Sequence, residues 1–252
     1  MEQIKIISLN IERDLHYKTV LPFLHAQNAD AVCLQEILDR DVVRFKKELG
    51  MEGFFVSTAK ADKGRSTEKL AAQGVLTGTA ILTRLPILDT GTHYFYGDPK
   101  RVPSADDPLL AGRNDRARGV VLIARVPMGG TAYTIGTTHF TWTPDGRASD
   151  AQREDLQKLF LILEQFPDII LCGDFNAPRG GEIWNAIAAR YTDNIPPQYT
   201  TSLDQKLHKV SGLMYVVDGL FTTSAYTATD VRLVSGVSDH CAVVAMVGKS
   251  VI

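Results

Sequence analysis

The chain has 252 residues, of which 44% are hydrophobic and 22% charged, and its net charge is −2 at neutral pH. This balance suits one large globular domain over residues 1–252 with a sizeable core. It excludes a basic nucleic-acid footprint spread over the whole surface, while leaving room for a local basic groove.

In chain order, Ile4–Leu9 reads as a short buried strand. Val20, Leu21 and Leu24 give helical spacing over Tyr17–Gln27, which places Pro22 in the first turn, where proline is tolerated. Asp30–Gln35 is a second strand. Val42, Phe45 and Leu49 define a helix over Asp41–Leu49, with Gly50 suited to end it. Gly78–Thr83, Gly119–Val126 and Ala132–Thr138 are strands, and Gly129-Gly130 supplies a hairpin turn before the last of them. Leu156, Leu159, Phe160 and Leu163 form the stripe of a helix over Arg153–Phe166 that Pro167 stops. A strand at Asp168–Cys172 and a helix at Glu182–Ala189 follow, then strands at Tyr215–Phe221, Asp230–Val234 and Cys241–Val247. Thr58–Thr77, Gly91–Ala117 and Gln198–Gly212 carry no period and read as long loops, which in compact domains are often functional. About eleven strands and four helices, unevenly alternated, indicate sheet-rich α/β layering rather than a doubly wound parallel sheet.

Cys33, Cys172 and Cys241 sit inside apolar runs, and an odd number without close spacing argues against a disulfide framework or a zinc knuckle. No leader pattern precedes the first strand, and no apolar run approaches the ~20 residues that span a bilayer. The expectation is a reduced, cytoplasmic, soluble protein.

Four apolar runs end in polar residues: Ser8-Leu9-Asn10, Leu34-Gln35-Glu36, Gly173-Asp174-Phe175-Asn176 and Ser238-Asp239-His240. Charged groups leaving a core need partners or a metal. A lone Glu36 reads equally as a solvated strand end or a cap. Asp174 and Asn176, two apart, point the same way in an extended segment and can reach one ligand, or they form an Asx-turn. Asp218 interrupts an apolar run and needs a partner if buried; His240 would serve, and the carboxylate would favour a protonated imidazole suited to phosphate. Arg118, immediately before a strand, or Arg116 would clamp phosphate, a guanidinium binding two oxygens at once; the other reading is plain surface exposure.

Taken together these residues resemble the endonuclease/exonuclease/phosphatase superfamily, with its DNase I-like fold. The matches run in order through Asn10, Gln35-Glu36, Gly78-Thr79-Ala80-Ile81-Leu82 with Arg84-Leu85-Pro86, and Thr138-His139. They continue through Gly173-Asp174-Phe175-Asn176, Val217-Asp218-Gly219-Leu220-Phe221 and Ser238-Asp239-His240, covering essentially the whole chain. The resemblance implies an α/β (α+β) four-layer sandwich, two packed mixed β-sheets flanked by helices. It also implies phosphoester hydrolysis with Mg²⁺ or Mn²⁺ as cofactor. Glu36 would be the principal metal ligand, with Asn10 and Asp239 close by; Glu12 matches an acid found in only some branches. Asp174 would orient or deprotonate the attacking water, Asn176 would hold a phosphate oxygen, and His240, paired to Asp218, would stabilise the transition state. His139 matches a histidine that contacts phosphate in some branches.

The superfamily cleaves nucleic acids, tyrosyl–DNA links, sphingomyelin and inositol phosphates. The leading expectation is a nuclease or phosphodiesterase with a nucleic-acid or other phosphoester partner; the alternative is a phosphatase or lipid phosphoesterase. Tyr94-Phe95-Tyr96 and Thr141-Trp142-Thr143 could enter lipid, stack on bases or anchor loops. A non-catalytic binding module would have lost Glu36, Asp174 or His240, and none is lost. A calcineurin-type dinuclear phosphatase needs more histidine ligands than His139 and His240 supply.

Overall fold

The computed structural model describes residues 2–61, 74–103, 113 and 117–250. The first half of the chain runs β1 (Gln3–Asn10), α1 (Tyr17–Gln27), β2 (Ala31–Leu38), a 3₁₀ turn at Asp39–Asp41, α2 (Val42–Leu49), β3 (Glu52–Lys60), β4 (Leu76–Thr83), β5 (Asp89–Tyr96) and β6 (Gly119–Met128). The second half runs β7 (Thr131–His139), α3 (Asp150–Leu163), β8 (Ile170–Asp174), α4 (Glu182–Ala188), β9 (Thr192–Asp193), β10 (Asp218–Thr222), β11 (Tyr226–Val234) and β12 (Ala242–Lys249). These strands form two six-stranded mixed sheets, ordered β11-β12-β1-β2-β4-β3 and β5-β6-β7-β8-β10-β9.

Each sheet contains one parallel pair, β1 with β2 and β7 with β8, while its other pairs are antiparallel. Parallel neighbours need a crossover, and the segments carrying α1 and α3 supply it. The two β-α-β units therefore occupy corresponding places in the two sheets.

Alternation along β1 shows the layering. Ile4 and Ile6 join the cluster that also contains β6, β7, β8, α3 and α4 residues, whereas Ile7 and Leu9 join Val20, Leu24 and Phe45 from α1 and α2. One side of the strand thus faces the other sheet and its neighbour faces helices, as the two-residue period requires. This is the expected four-layer sandwich, two packed mixed sheets flanked by helices.

Several details depart from the sequence reading: β10 begins at Asp218 rather than Tyr215, β11 at Tyr226 rather than Asp230, and the short β9 carries no pattern of its own. β3 and β5 run into stretches read as loops; each pairs with a single neighbour and each has one fully buried side chain, Thr58 and Phe95. Such edge strands show little hydrophobic period. Tyr94-Phe95-Tyr96 lies in β5, where Phe95 packs in the core while Arg118 and Arg113 lie over the Tyr94 and Tyr96 rings. The triplet is therefore an anchor. Pro22 lies inside α1, beyond its first turn, so the Lys18 carbonyl receives no backbone donor four residues on.

Among the described residues no helix is long and apolar enough to cross a membrane.

Gly173 has a φ of 146° and sits between β7 and β10 at the foot of Asp174. A Cβ there would strike the Thr138 carbonyl oxygen. Gly173→Ala should therefore lower stability by about 3 kcal/mol or more in urea unfolding. A loss below about 1 kcal/mol would show that the two strands can separate without penalty.

Candidate active site

The two parallel pairs finish side by side. In register, Asn10 lies opposite Gln35 and His139 opposite Asp174. β10 begins at Asp218, directly opposite Asp174, and residues 238–240 lead into β12 beside β1. Strand ends from both sheets thus converge on one point.

At that point is Asp174, only 1% exposed. Its Oδ1 accepts the backbone N–H of Asn176 at 2.8 Å and its Oδ2 the Asn10 side-chain amide at 3.1 Å. His139 Nε2 lies 3.5 Å from the same Oδ2 and His240 Nε2 3.8 Å. The Asn176 side chain donates to the Phe140 carbonyl at 2.9 Å, fixing the turn that follows β8.

His240 Nδ1 lies 2.8 Å from Asp218 Oδ2. Ser202 donates its hydroxyl to that carboxylate at 2.6 Å and accepts the backbone N–H groups of Val217 and Asp218. Burial alone would lower the His240 pKa, but the charges of Asp218, Asp174 and Asp239 and the hydrogen bond to Asp218 raise it well above the ordinary imidazole value. Burial in turn pushes the Asp218 carboxyl up against the opposing pull of His240. The carboxylates around His240 thus favour the charged imidazole, whose Nε2 lies 3.8 Å from Asp174.

A second group lies beside the first. Glu36 stands on a β-bulge: Leu34 pairs with Ala80 and Ile37 with Gly78, so Gln35 and Glu36 together oppose Thr79. Its φ is 59°, in the left-handed region, as are Glu12 at 43°, Arg13 at 60° and Asn176 at 50°. Asparagine tolerates that region; glutamate and arginine adopt it at a cost. Burial pushes the Glu36 carboxyl up, but Arg13, His139, His240 and a hydrogen bond from Asn10 outweigh it and hold it below its ordinary value. Asp239 goes the other way: burial pushes it up to about 6, against His240, with Glu12 and Glu36 adding repulsion.

Glu12, His16 and Asp239 bring their ligand atoms within 4.8 Å of one another, and Glu12 Oε2 lies 2.9 Å from His16 Nε2. Glu36 falls outside that group but adds its charge to Glu12 and Asp239; these carboxylates, with the neutral Asn10 amide beside them, offer hard oxygen donors whose mutual repulsion a divalent ion such as Mg²⁺ or Mn²⁺ would offset. Asp174, Asp218 and His240 also cluster within 4.8 Å, but their atoms are already committed to each other and to Ser202, Asn10 and Asn176.

Asn10, Glu36, His139, Asp174, Asn176, Asp239 and His240 all line one cleft of about 990 Å³. Asp218 stands behind His240. Arg118 is not brought to the cleft. It is buried, and its guanidinium donates to the carbonyls of Ser57, Asp98 and Pro99, which tie β3 to the turn after β5. A guanidinium serves carbonyls as readily as phosphate, so its position before β6 did not decide between them. Arg116 lies outside the described residues. Arg113 is committed elsewhere, paired with the buried Asp155.

Among the cations that do line the cleft, with Lys60 and Lys209, is Arg13, 3.6 Å from Glu36. Arg13 and Ser202 were missing from the sequence reading. Arg13 followed Asn10 by three residues with no pattern to mark it, and Ser202 lay in an unpatterned loop. That loop is anchored by Asp204, which accepts backbone N–H groups from Lys206, Leu207 and Gly236 while its own N–H reaches Asp239. It also sets His208 beside His240, with ring centroids 6.3 Å apart.

A family model described as Endonuclease/Exonuclease/phosphatase family matches residues 7–240. Solved structures agree in fold. An endonuclease/exonuclease/phosphatase from Bacteroides vulgatus superposes with a TM-score of 0.71 at 15% identity, covering 99% of this chain and 100% of that one. The human Nocturnin catalytic domain with bound sulfate gives 0.68 at 17%, covering 98% and 94%. ANGEL2, a 2′,3′-cyclic phosphatase in complex with adenosine-2′,3′-vanadate, gives 0.71 at 13%, covering 97% and 95%. No protein with a curated description matches at the sequence level.

Two outcomes are expected. Arg118→Ala should cost about 2–4 kcal/mol of stability by orphaning carbonyls, while kcat/KM of the folded fraction stays within about threefold; a hundredfold loss of kcat/KM without destabilisation would return Arg118 to the phosphate. Because a proton on Asp239 competes with a cation, Mn²⁺ affinity measured by calorimetry should rise with pH up to about 6 and level off above it. Asp239→Asn should weaken binding and flatten that dependence, and an unchanged profile would remove Asp239 from the ligand set.

Proposed function

We propose that this chain, which belongs to the endonuclease/exonuclease/phosphatase family, is a divalent-metal-dependent phosphoester hydrolase whose substrate is a phosphodiester of the nuclease type. The observation that carries this reading is the convergence of Asp174, Asn10, His139 and the His240–Asp218 pair within hydrogen-bonding or near-contact distance, beside the Glu12–His16–Asp239 group.

Glu36 and Asp239, with Asn10 and Glu12 adjoining, would hold Mg²⁺ or Mn²⁺. When bound, the ion would offset negative charge on the phosphoryl or leaving oxygen, an effect worth several kcal/mol in general. The remaining work falls to the chain's own groups. Asp174 orients the attacking water and accepts its proton as the new P–O bond forms. Attack in line breaks the P–O bond to the leaving group on the opposite side. The His240 imidazolium, held charged by Asp218, donates toward the phosphoryl oxygens as they gain charge. Asn176 offers an amide to a phosphate oxygen from its fixed turn. His139 flanks the phosphate on the Asp174 side, next to the same Oδ2.

Among phosphodiesters, a cyclic one belongs in any test, since one structural neighbour is a 2′,3′-cyclic phosphatase.

The test is turnover of single- and double-stranded DNA, abasic-site DNA, 5′-tyrosyl DNA, RNA, a 2′,3′-cyclic nucleotide, sphingomyelin and an inositol polyphosphate, with Mg²⁺ or Mn²⁺ against EDTA. Metal-dependent cleavage of a nucleic-acid phosphodiester is expected. Asp174→Asn and His240→Ala should each lower kcat by about 10²–10⁴-fold in protein that circular dichroism shows to be folded at the assay temperature, although His240→Ala also lowers the melting temperature by leaving Asp218 unpaired. Near-wild-type rates in both folded variants would overturn the mechanism. Turnover of lipid or inositol phosphate alone would keep the mechanism and overturn the substrate.

A further inference from the structure

We infer that the cleft contains a nucleobase subsite on the wall formed by Trp142 and Tyr215, so that the phosphoester it takes belongs to a nucleotide or a nucleic-acid end. This rests on the hydrolase reading above for the phosphate, and on separate residues for the base.

Among the described residues, seven large apolar side chains are exposed, and Trp142, Val210, Met214 and Tyr215 account for four of them. These four occupy only two loops, 141–146 and 208–217. Trp142, Val210 and Tyr215 line the catalytic cleft itself. Chance scatter of surface hydrophobics gives isolated residues, whereas a cluster at a cleft mouth marks a contact surface.

The two aromatic residues are held in place. Thr141 and Thr143, on either side of Trp142, are buried. Thr141 donates its hydroxyl to the buried Asp155 at 2.6 Å, and its carbonyl accepts the Gln152 side chain at 2.6 Å. With its neighbours anchored inward, the indole is turned out into the cleft, 46% exposed. Tyr215 is pinned through its carbonyl by the backbone N–H of Ser202. The loops meet at Gly146, where a Cβ would lie 3.5 Å from Tyr215 Cε2 and 2.9 Å from Pro178 Cγ. The two aromatics follow β7 and precede β10 of one sheet, whereas Arg13 follows β1 and Lys60 ends β3 of the other; all four line the cleft, and the two cations supply the positive charge a phosphate needs.

A nucleotide matches this division, a flat ring against the aromatics and a phosphate toward the cations. A lipid surface matches it less well. Asp145 and Arg147 flank the Trp142 loop with highly exposed charges 4.0 Å apart, and Lys209 precedes Val210 in the cleft lining. The net charge of −2 favours a short substrate or single-stranded end over a long duplex.

The chain has two tryptophans, and Trp184 is 1% exposed, so quenchable fluorescence reports Trp142. In the Asp174→Asn protein with Mg²⁺, AMP and a 5′-phosphorylated thymidine tetranucleotide should quench it saturably, and ribose 5-phosphate should not. Tighter binding of the tetranucleotide assigns the subsite to a nucleic-acid end; tighter binding of AMP assigns it to a mononucleotide. Trp142→Ala should weaken AMP relative to ribose 5-phosphate about tenfold by calorimetry, and Trp142→Phe should restore most of the difference. Equal binding of AMP and ribose 5-phosphate, or insertion of Trp142 into phosphatidylcholine vesicles without nucleotide quenching, would overturn the subsite. Equal binding alongside metal-dependent hydrolysis would leave the hydrolase reading standing. AMP quenching in a chain that hydrolyses no phosphoester would leave the subsite and remove the hydrolase reading.

Discussion

A single buried carboxylate sets the terms for the rest of this structure. Asp174 lies at the seam between two sheets, nearly out of reach of water. An ion there without partners would cost several kcal/mol or would simply take up a proton. It is compensated from both sheets at once: Asn10 from β1, Asn176 from its own turn, and two imidazoles nearby. That compensation couples the packing angle of the sheets to the chemistry. Moving one sheet against the other by an ångström would break the Asn10 contact and strand the charge.

The neighbouring groups carry a related tension. Glu36 occupies a left-handed conformation at a bulge, and Glu12 and Arg13 do so at the end of β1. Non-glycine residues hold such conformations only where the surroundings over-determine them. Here those surroundings are the buried strands β1, β2 and β4 beneath α1 and α2. Crowding Glu12, Glu36 and Asp239 together also pushes Asp239 up to about 6. Strain and repulsion at this end are offset by apolar burial at the other, and a bound cation would relieve the repulsion.

The sequence was readable where a residue's fate follows from its immediate neighbours. Ile4–Leu9 and Ile169–Cys172 are near-continuous apolar runs, so they could only be buried strands, and the polar residues ending them could only lie at a sheet end. Asp218 was identifiable for the same reason, as a charge inside an apolar run. Edge strands β3 and β5 were not readable, because a half-exposed strand has little period. Arg13 and Ser202 were hidden because irregular loops encode position through distant partners: Ser202 matters only because Asp218 lies 2.6 Å away. Arg118 shows the opposite failure. Residue type and position suggested a phosphate clamp, but the carbonyls of Ser57, Asp98 and Pro99 come from segments that no local pattern associates with it.

The two parallel pairs, β1 with β2 and β7 with β8, also explain how a core this apolar can end in charge. Facing the opposite sheet, β1 presents Ile4, Ile6, Ser8 and Asn10 in turn, and β7 presents Ile135, Thr137 and His139. β2 presents Ala31, Cys33 and Gln35; β8 presents Ile170, Cys172 and Asp174. β1, β7 and β8 pass from hydrocarbon through a hydroxyl or thiol to a residue lining the cleft, while β2 ends at Gln35 in the layer beneath it. Within this middle layer the Gln35 amide donates to Ser8 at 3.3 Å in its own sheet and to Thr137 at 3.0 Å in the other. Hydrocarbon packed directly against Asp174 would raise the cost of burying its carboxylate. A graded layer of neutral dipoles lowers that penalty without admitting solvent to the core. The carboxylate can then be held rigidly among its partners at the seam of the two sheets.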